Sequence, residues 1–100
     1  MGAYRLSPEA EADLDSIWLH IARESGSIDI ATRLVDRITE RFWLPARYPY
    51  IGRRRDDLRA GLRSFIADDY LVIYRVSQNE SVIILRVIHG SRDLSALFEP

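Results

Sequence analysis

The chain has 100 residues, of which 47% are hydrophobic and 29% are charged, and its formal net charge is −1. This size fits one domain, and this composition excludes a largely disordered chain. The chain has no cysteine, which excludes disulfides, thiolate metal sites and a cysteine nucleophile. The longest apolar run, 70–74, is far too short to span a bilayer, and no signal peptide is visible. We therefore expect a single cytoplasmic domain over residues 1–100, without a membrane segment.

The charges are distributed unevenly along the chain. All 14 basic residues are arginine, and the lack of lysine excludes Schiff-base chemistry. Residues 31–67 hold nine arginines and four acids, whereas 1–30 and 68–100 each carry more acids than arginines. This basic middle third is either a solvated face or a surface for an acidic partner, and the near-neutral sum argues against a general nucleic-acid binder.

The first half of the chain predicts a strand and two helices. The alternation of residues 3–6 favours a short strand, after which Ser7 and Pro8 are typical of a helix N-cap and first helical position. Residues 25–27 end this helix, and a second amphipathic helix begins near Ile28, so that the two form a hairpin. Pro45 disfavours helical geometry at Leu44, and we expect the second helix to stop or kink there.

The second half predicts three strands after an irregular connection at 45–61. The apolar, β-branched runs 62–67, 70–76 and 82–88 are separated by short polar links, which favours an antiparallel meander. Residues 92–98 are long enough for one or two helical turns. The order β-α-α-β-β-β with a short C-terminal helix predicts an α+β domain in which a helical hairpin packs on one face of a small antiparallel sheet.

The predicted sheet is apolar on both faces. Arg75 is expected to share its face with Leu71 and Ile73. Arg86 is expected to share its face with Val82, Ile84 and Ile88. Because the hairpin covers only one face, we expect a partner protein to cover the other. The alternative is that the terminal segment with Leu94, Leu97 and Phe98 folds back over it.

Few residues offer catalytic or metal-binding chemistry. His20 and His89 lack the spacing of a metal site, and the sequence contains neither a G-x-S-x-G motif nor a glycine-rich phosphate loop. We therefore expect no metal and no cofactor. His89 is the single candidate general acid or base, but we favour a structural histidine that bonds Asp93 or the backbone.

Four arginines on the strands or their ends, Arg63, Arg75, Arg86 and Arg92, require carboxylates, carbonyls or acids of a partner. Such side chains among apolar neighbours are the best interface candidates.

Several motifs together carry a resemblance to a known family. They are the opening Leu-Ser-Pro-Glu-Ala at 6–10, Gly-Leu-Arg-Ser-Phe at 61–65, Tyr-Arg-Val at 74–76, and the closing His-Gly-Ser-Arg-Asp at 89–93. Over nearly its whole length the chain resembles the ParE toxins of bacterial type II toxin–antitoxin modules. The resemblance implies the RelE/ParE fold, a ParD-like antitoxin as partner and DNA gyrase as target, with DNA contacted only through the antitoxin.

The same superfamily contains ribosome-dependent messenger RNA endoribonucleases of the RelE type, which are the alternative. Their basic residues and terminal tyrosine correspond here to Leu62, Ser64, Leu71 and Phe98, and only Arg92 keeps its basic character. A phosphate-centred transition state needs positive partners and a proton donor or acceptor, which leucine and phenylalanine do not supply. We therefore predict a toxin that is not an enzyme, although His89 keeps the ribonuclease alternative open.

Two sets of contact residues follow from the sheet pattern and the resemblance. The antitoxin-binding set is Arg63, Leu71, Ile73, Arg75 and Arg86. The target-binding set is His89, Arg92, Asp93, Leu97 and Phe98, because the resemblance is densest at 89–93 and Asp93 is placed to cap the final turn. We assign no catalytic residue and no metal ligand.

Overall fold

The computed structural model describes residues 3–98, except for the side chain of Ser95. Its elements, in chain order, are strand β1 (Tyr4–Leu6), helices α1 (Pro8–Ser25), α2 (Ile28–Glu40) and α3 (Trp43–Arg47), strands β2 (Arg53–Arg54), β3 (Leu62–Ala67), β4 (Tyr70–Val76) and β5 (Val82–His89), and a 3-10 turn (Ser95–Phe98). The α+β class and the helical hairpin on one side of a sheet are confirmed. No helix within residues 3–98 has both the length and the apolar character needed to cross a bilayer.

The sheet is mixed, which corrects the expectation of a wholly antiparallel one. Its strand order is β1-β5-β4-β3-β2, and the meander from β3 to β5 is antiparallel as predicted. Strand β1 instead runs parallel to β5, with Tyr4 opposite Val82 and Leu6 opposite Ile84. A parallel pair needs a crossover connection, and here the helices and strands β2 to β4 all lie between β1 and β5 in the chain.

The helix boundaries follow the capping residues. The Ser7 hydroxyl oxygen accepts a hydrogen bond from the Ala10 N–H at 3.0 Å and donates to the Leu85 carbonyl at 2.8 Å, so this cap also attaches α1 to β5. Gly26 ends α1 in the left-handed conformation, with φ of 69°. Ser27 then caps α2, and both predicted helix starts are confirmed.

Pro45 lies inside a helix, contrary to the sequence expectation. Helix α2 ends at Glu40, and the five-residue α3 begins at Trp43 with Pro45 in its first turn. No intrahelical donor is required at that position, so proline is tolerated there. The connection predicted as irregular at 45–61 therefore contains part of a helix and the two-residue strand β2.

Two apolar clusters lie on opposite faces of the sheet. The larger one packs α1 and α2 on the sheet and includes Leu14, Ile38, Phe42, Val72 and Tyr74. The second contains Leu62, Ile73, Ile88 and Phe98, with Leu58, Leu71, Leu85, Leu94 and Leu97 packed against it. The terminal segment and the loop at 58 therefore pack against the second face, as in the alternative expectation, while Leu71 stays partly exposed there.

A β-bulge changes the face of the residues at the end of β5. Ile73 pairs with Arg86 and Tyr74 with Ile84, which leaves Leu85 as an extra residue. After the bulge, Val87 joins the first cluster and Ile88 joins the second. The expectation that Arg86 and Ile88 share a face with Val82 and Ile84 is wrong. Arg86 pairs with Ile73 and Ile88 pairs with Leu71 on the face of the second cluster, whereas Val82 and Ile84 belong to the first cluster.

Candidate functional site

Arg86 is held within the chain by a carboxylate on α1. Its Nε donates to Asp13 Oδ2 at 2.8 Å and its Nη2 donates to Asp13 Oδ1 at 3.0 Å. Only 21% of the Arg86 side chain and 15% of the Asp13 side chain are exposed. The hydrogen bond to Asp13 raises the pKa of Arg86. Asp13 of the same chain therefore supplies the carboxylate that Arg86 was expected to require.

Arg63 is also satisfied within the chain, in this case by carbonyl groups. Its Nη1 donates to the Tyr50 oxygen at 3.0 Å and to the Gly52 oxygen at 2.8 Å. The guanidinium also lies over the Tyr50 ring, 5.2 Å from the ring centre. Arg63 thus anchors the loop before β2, and this accounts for its place on a strand with apolar neighbours.

The buried Tyr74, which pairs with Arg63 in the sheet, fixes the same loop. Its hydroxyl accepts from the Gly52 N–H at 2.9 Å and donates to the Pro49 oxygen at 2.8 Å. Burial raises the pKa of Tyr74. Gly52 is required by close packing, because a Cβ added there would lie 2.5 Å from the Tyr74 hydroxyl oxygen. The loop at 49–52 is therefore fixed by several contacts.

The other predicted antitoxin contacts differ in accessibility. Ile73 is fully buried in the second cluster, and Leu71 packs against that cluster while remaining half-buried. Arg75 is exposed, and no hydrogen bond or ion pair reaches its side chain from residues 3–98. Of the five residues, Arg75 offers a charged group to a partner, and Leu71 offers a partly exposed apolar side chain.

The C-terminal end of β5 forms a polar corner. His89 Nδ1 lies 2.7 Å from Ser91 Oγ, and its ring meets the Tyr70 ring edge-on with the ring centres 5.4 Å apart. The Ser91 backbone N–H also donates to His89 Nδ1, at 3.2 Å, which agrees with the backbone bond expected for this histidine. His89, Arg92 and Asp93 are all exposed. An open groove of about 670 Å³ between the helical hairpin and this end of the sheet includes His89 and Arg92 in its lining.

The last two predicted target contacts lie in the core. Phe98 is 8% exposed within the second cluster, and Leu97 packs against the same cluster. The Arg59 guanidinium lies over the Phe98 ring at 5.6 Å from its centre. Phe98 therefore stabilises the fold of this chain, and Leu97 packs on the same cluster while it stays partly exposed.

Four positions correspond to catalytic groups of the RelE-type ribonucleases. Here they are buried or partly buried, and three of them carry apolar side chains. Leu62 and Ser64 are buried, Phe98 is buried beside Leu62, and Leu71 packs against the same cluster. Across the described part of the chain, no group of three or more histidine, aspartate or glutamate side chains is placed to hold a metal ion. At these four positions, the second face of the sheet thus presents no cluster of groups that could transfer a proton.

One exposed surface was not predicted from the sequence. Trp43, Tyr48, Tyr50 and Ile51 are each between 52% and 59% exposed and lie on α3 or in the loop that follows it. The available signal was the alternation of aromatic residues with arginines in 41–55, a segment with five arginines and no acid. The prolines and glycine in this segment led instead to the prediction of a plain connection.

The fold and the sequence comparisons give the same classification. The fold, a helical hairpin on a mixed sheet with parallel first and last strands, is that of RelE/ParE toxins. The family described as "ParE toxin of type II toxin-antitoxin system, parDE" matches residues 4–94. The chain belongs to this family of toxins.

Curated relatives and solved structures extend this result. Toxin ParE3 of Caulobacter vibrioides is 33% identical over 96 residues, which is 96% of this chain and 94% of the relative. Toxin ParE1 of Mycobacterium tuberculosis is 31% identical, with 91% and 92% covered. A chain of the chromosomal ParDE system of P. aeruginosa has a TM-score of 0.77 at 24% identity, covering 89% of this chain and 96% of that one. A chain of the RelBE2 toxin–antitoxin complex of M. tuberculosis has a TM-score of 0.58 at 26% identity, covering 88% and 96%.

Proposed function

We propose that this protein is a cytoplasmic toxin that inhibits DNA gyrase and is neutralised by a ParD-like antitoxin. The family match over residues 4–94 is the observation that carries the proposal. The curated relatives named ParE toxins span nearly the full length of the chain, and the RelBE2 relative was solved as a toxin–antitoxin complex. Gyrase is the target that the ParE resemblance implies.

The proposed toxin acts by binding and not by catalysis. Cleavage of RNA needs groups that stabilise charge on phosphate and move a proton, and these groups must reach the substrate. Leu62, Ser64 and Phe98 are buried at the positions where RelE-type ribonucleases carry such groups. His89 is exposed, but its Nδ1 is engaged with Ser91. These features favour inhibition by binding.

The proposed antitoxin contact is centred on Arg75 and extends along the same face of β4 to the partly exposed Leu71. An antitoxin carboxylate opposite Arg75 would gain a charge-assisted hydrogen bond. Arg63, Ile73 and Arg86 support this surface from within the chain, because their contacts are to the loop at 50–52, the second cluster and Asp13. Substitution of Arg75 is therefore expected to weaken the complex, with little effect on the fold of the free toxin.

The proposed target contact at the C-terminal corner consists of His89, Arg92 and Asp93. A supercoiling assay with purified gyrase tests it, with the wild-type toxin, Arg92→Ala and the control Arg23→Ala, which removes an exposed arginine from α1. We expect inhibition by the wild type and the control, and a loss of about tenfold or more for Arg92→Ala. If the wild type leaves supercoiling unchanged and produces no cleaved DNA, gyrase is not the target.

A further inference from the structure

We propose that Trp43, Tyr48, Tyr50 and Ile51 form a target-binding ridge that docks into an acidic, concave surface of the toxin's protein target. The proposal rests on the proposed function, in which the chain acts as a toxin by binding a protein. It adds a contact surface at the opposite end of the sheet from His89. Trp43 packs on Tyr4, which pairs with Val82 at the start of β5, whereas His89 ends that strand.

The exposed side chains of the ridge have the composition of interface anchors. Three of the four are aromatic, and the fourth is isoleucine, with every one at least 52% exposed. Tryptophan, tyrosine and arginine are enriched among the few residues that dominate binding energies. Large apolar side chains that occur together on a small protein indicate an interaction site. The ridge therefore has more exposed anchor residues than the C-terminal corner, where Leu97 and Phe98 are committed to the core.

The ridge is held in place before it meets a partner. The Tyr74 hydroxyl bonds both Pro49 and Gly52, and Arg63 bonds the Tyr50 and Gly52 carbonyls. Edge-on contact between Trp43 and Tyr4, with ring centres 4.9 Å apart, fixes the other end. A preformed surface loses less conformational entropy on binding than a mobile loop. The connection is thus built as a rigid part of the surface.

The charge around the ridge defines the chemistry of its partner. Residues 41–55 contain five arginines and no acid, and two of the five, Arg54 and Arg55, pair with Asp56 and Asp57 just beyond the segment. Within residues 3–98, neither Arg47 nor Arg53 forms an ion pair, and the Arg47 guanidinium lies over the Tyr48 ring at 5.7 Å from its centre. A partner with carboxylates around an apolar site complements this arrangement. The aliphatic Ile51 and the net charge of −1 favour a protein over nucleic acid.

The shape of the ridge favours a folded target over an extended segment. Its four side chains are each more than half exposed, and two depressions adjoin it, one of about 390 Å³ lined by Arg47 and Pro49 and one of about 620 Å³ lined by Tyr50 and Arg54. A projecting surface needs a concave partner, whereas an extended antitoxin segment needs a groove along which to lie. We therefore assign the ridge to binding of the target, and not of the antitoxin.

The decisive variant is Ile51→Asp, which places a negative charge on the ridge. Its matched control is Ile28→Asp, because Ile28 is an exposed isoleucine at the start of α2, outside the ridge. Each protein is assayed for growth arrest on induction, for inhibition of purified gyrase and for its melting temperature. We expect Ile51→Asp to lose growth arrest and to inhibit gyrase more than about tenfold less strongly, while Ile28→Asp stays within about twofold of the wild type.

Three results would overturn the ridge: full toxicity of Ile51→Asp, an equal loss for Ile28→Asp, or loss of binding to the co-expressed ParD-like antitoxin with toxicity retained. Binding of a short DNA duplex by the wild type that Ile51→Asp abolishes would also overturn it. If Ile51→Asp fails to fold, Tyr48→Ser replaces it with the same expected losses. If the wild type arrests growth without inhibiting gyrase, the proposed function fails, and growth arrest alone then decides the ridge proposal.

Discussion

Asp13 on α1 binds Arg86 and the Val87 N–H together, at the point where the extra residue Leu85 interrupts β5. One carboxylate oxygen accepts from both Arg86 Nε at 2.8 Å and the Val87 nitrogen at 2.9 Å, and the other accepts from Arg86 Nη2 at 3.0 Å. Ser7 adds a second link between α1 and β5, through its hydroxyl and the Leu85 carbonyl. The bulge is thereby held to the first helix by side chains.

We expect Asp13→Ala to lower the free energy of unfolding by roughly 2–4 kcal/mol, because it leaves Arg86 without its carboxylate and Val87 without its acceptor. Urea denaturation measures this change. Because Asp13 and Arg86 interact directly, the double variant with Arg86→Ala should be less destabilised than the sum of the two single variants. Additive effects would show that the pair contributes little to stability.

Tyr74→Phe is expected to destabilise the protein by about 1–3 kcal/mol, since the Gly52 N–H and the Pro49 carbonyl lose their shared partner. Toxicity should fall as well, because the ridge loses an anchor. Chemical denaturation gives the stability change, and Phe65→Tyr provides a control in which a hydroxyl is added to a half-buried ring that packs on Tyr74. An unchanged midpoint for Tyr74→Phe would contradict the anchoring role.

The raised pKa of Tyr74 predicts a loss of stability in alkali. Burial favours the neutral phenol in the folded state, so this contribution is complete below the ordinary pKa of 10.0 and is lost as pH rises through the raised value. When denaturation midpoints are measured at a series of pH values from about 8 to about 11, those of the wild type should fall more steeply than those of Tyr74→Phe. Equal slopes would show that other groups determine the alkaline response.

The turn at 56–61 is expected to loosen in acid. Hydrogen bonds from the Gly61 N–H and from Arg54 lower the pKa of Asp56 below its ordinary value of 3.8. The stabilising contacts are therefore present above the ordinary pKa and are lost as pH falls through the lowered one. The Gly61 amide resonance should titrate with a midpoint under 3.8, and Arg54→Ala should raise that midpoint. A midpoint that Arg54→Ala leaves in place would argue against this contact.

Phe98→Ala tests whether the terminal turn serves the fold. Removal of a buried phenylalanine costs about 3–5 kcal/mol, so the variant should unfold at a markedly lower temperature. Calorimetry and circular dichroism measure this, with exposed Ala96 changed to serine as a control in the same turn. If Phe98→Ala keeps its stability and loses only toxicity, Phe98 contacts the target instead of stabilising the fold.

Programmed ribosomes test the absence of catalysis. Incubation with the purified toxin should leave the messenger RNA intact, because the outer sheet face holds Leu62 and Phe98 at the relevant positions. A known ribosome-dependent ribonuclease provides the positive control. Cleavage that disappears in His89→Ala would favour the ribonuclease function over gyrase inhibition.

Local signals in the sequence were sufficient for much of the fold. Ser7, Pro8 and Gly26 predicted the ends of α1 because capping depends on a few neighbouring residues. The strand runs predicted the meander, since their links were short enough to require neighbouring antiparallel strands. The parallel pairing of β1 with β5 was missed, because it joins Tyr4 to Val82 and no local pattern reports so distant a contact.

The site residues were less predictable, for a related reason. Alternation assigns faces only while the register is regular, and the bulge at Leu85 placed Arg86 and Ile88 on the face opposite to Ile84. The partner of Arg86 lies 73 positions away in Asp13, so its identity depends on the packing of α1. Phe98 was assigned to the target because a short terminal turn shows no burial signal until the sheet beneath it is known.

The pairing of the first strand with the last also constrains when the toxin forms during synthesis. Strand β1 leaves the ribosome first, yet its partner β5 is among the last segments translated. The contacts of Ser7 with Leu85 and of Asp13 with Arg86 also join residues far apart in the chain. Because β5 is made late, α1 cannot pack against it early in synthesis. Chains stalled before Val82 should leave the β1 amides unprotected from hydrogen exchange. A chain that has not yet reached β5 thus lacks the folded surfaces on which the proposed function depends, and this delay precedes any need for the proposed antitoxin.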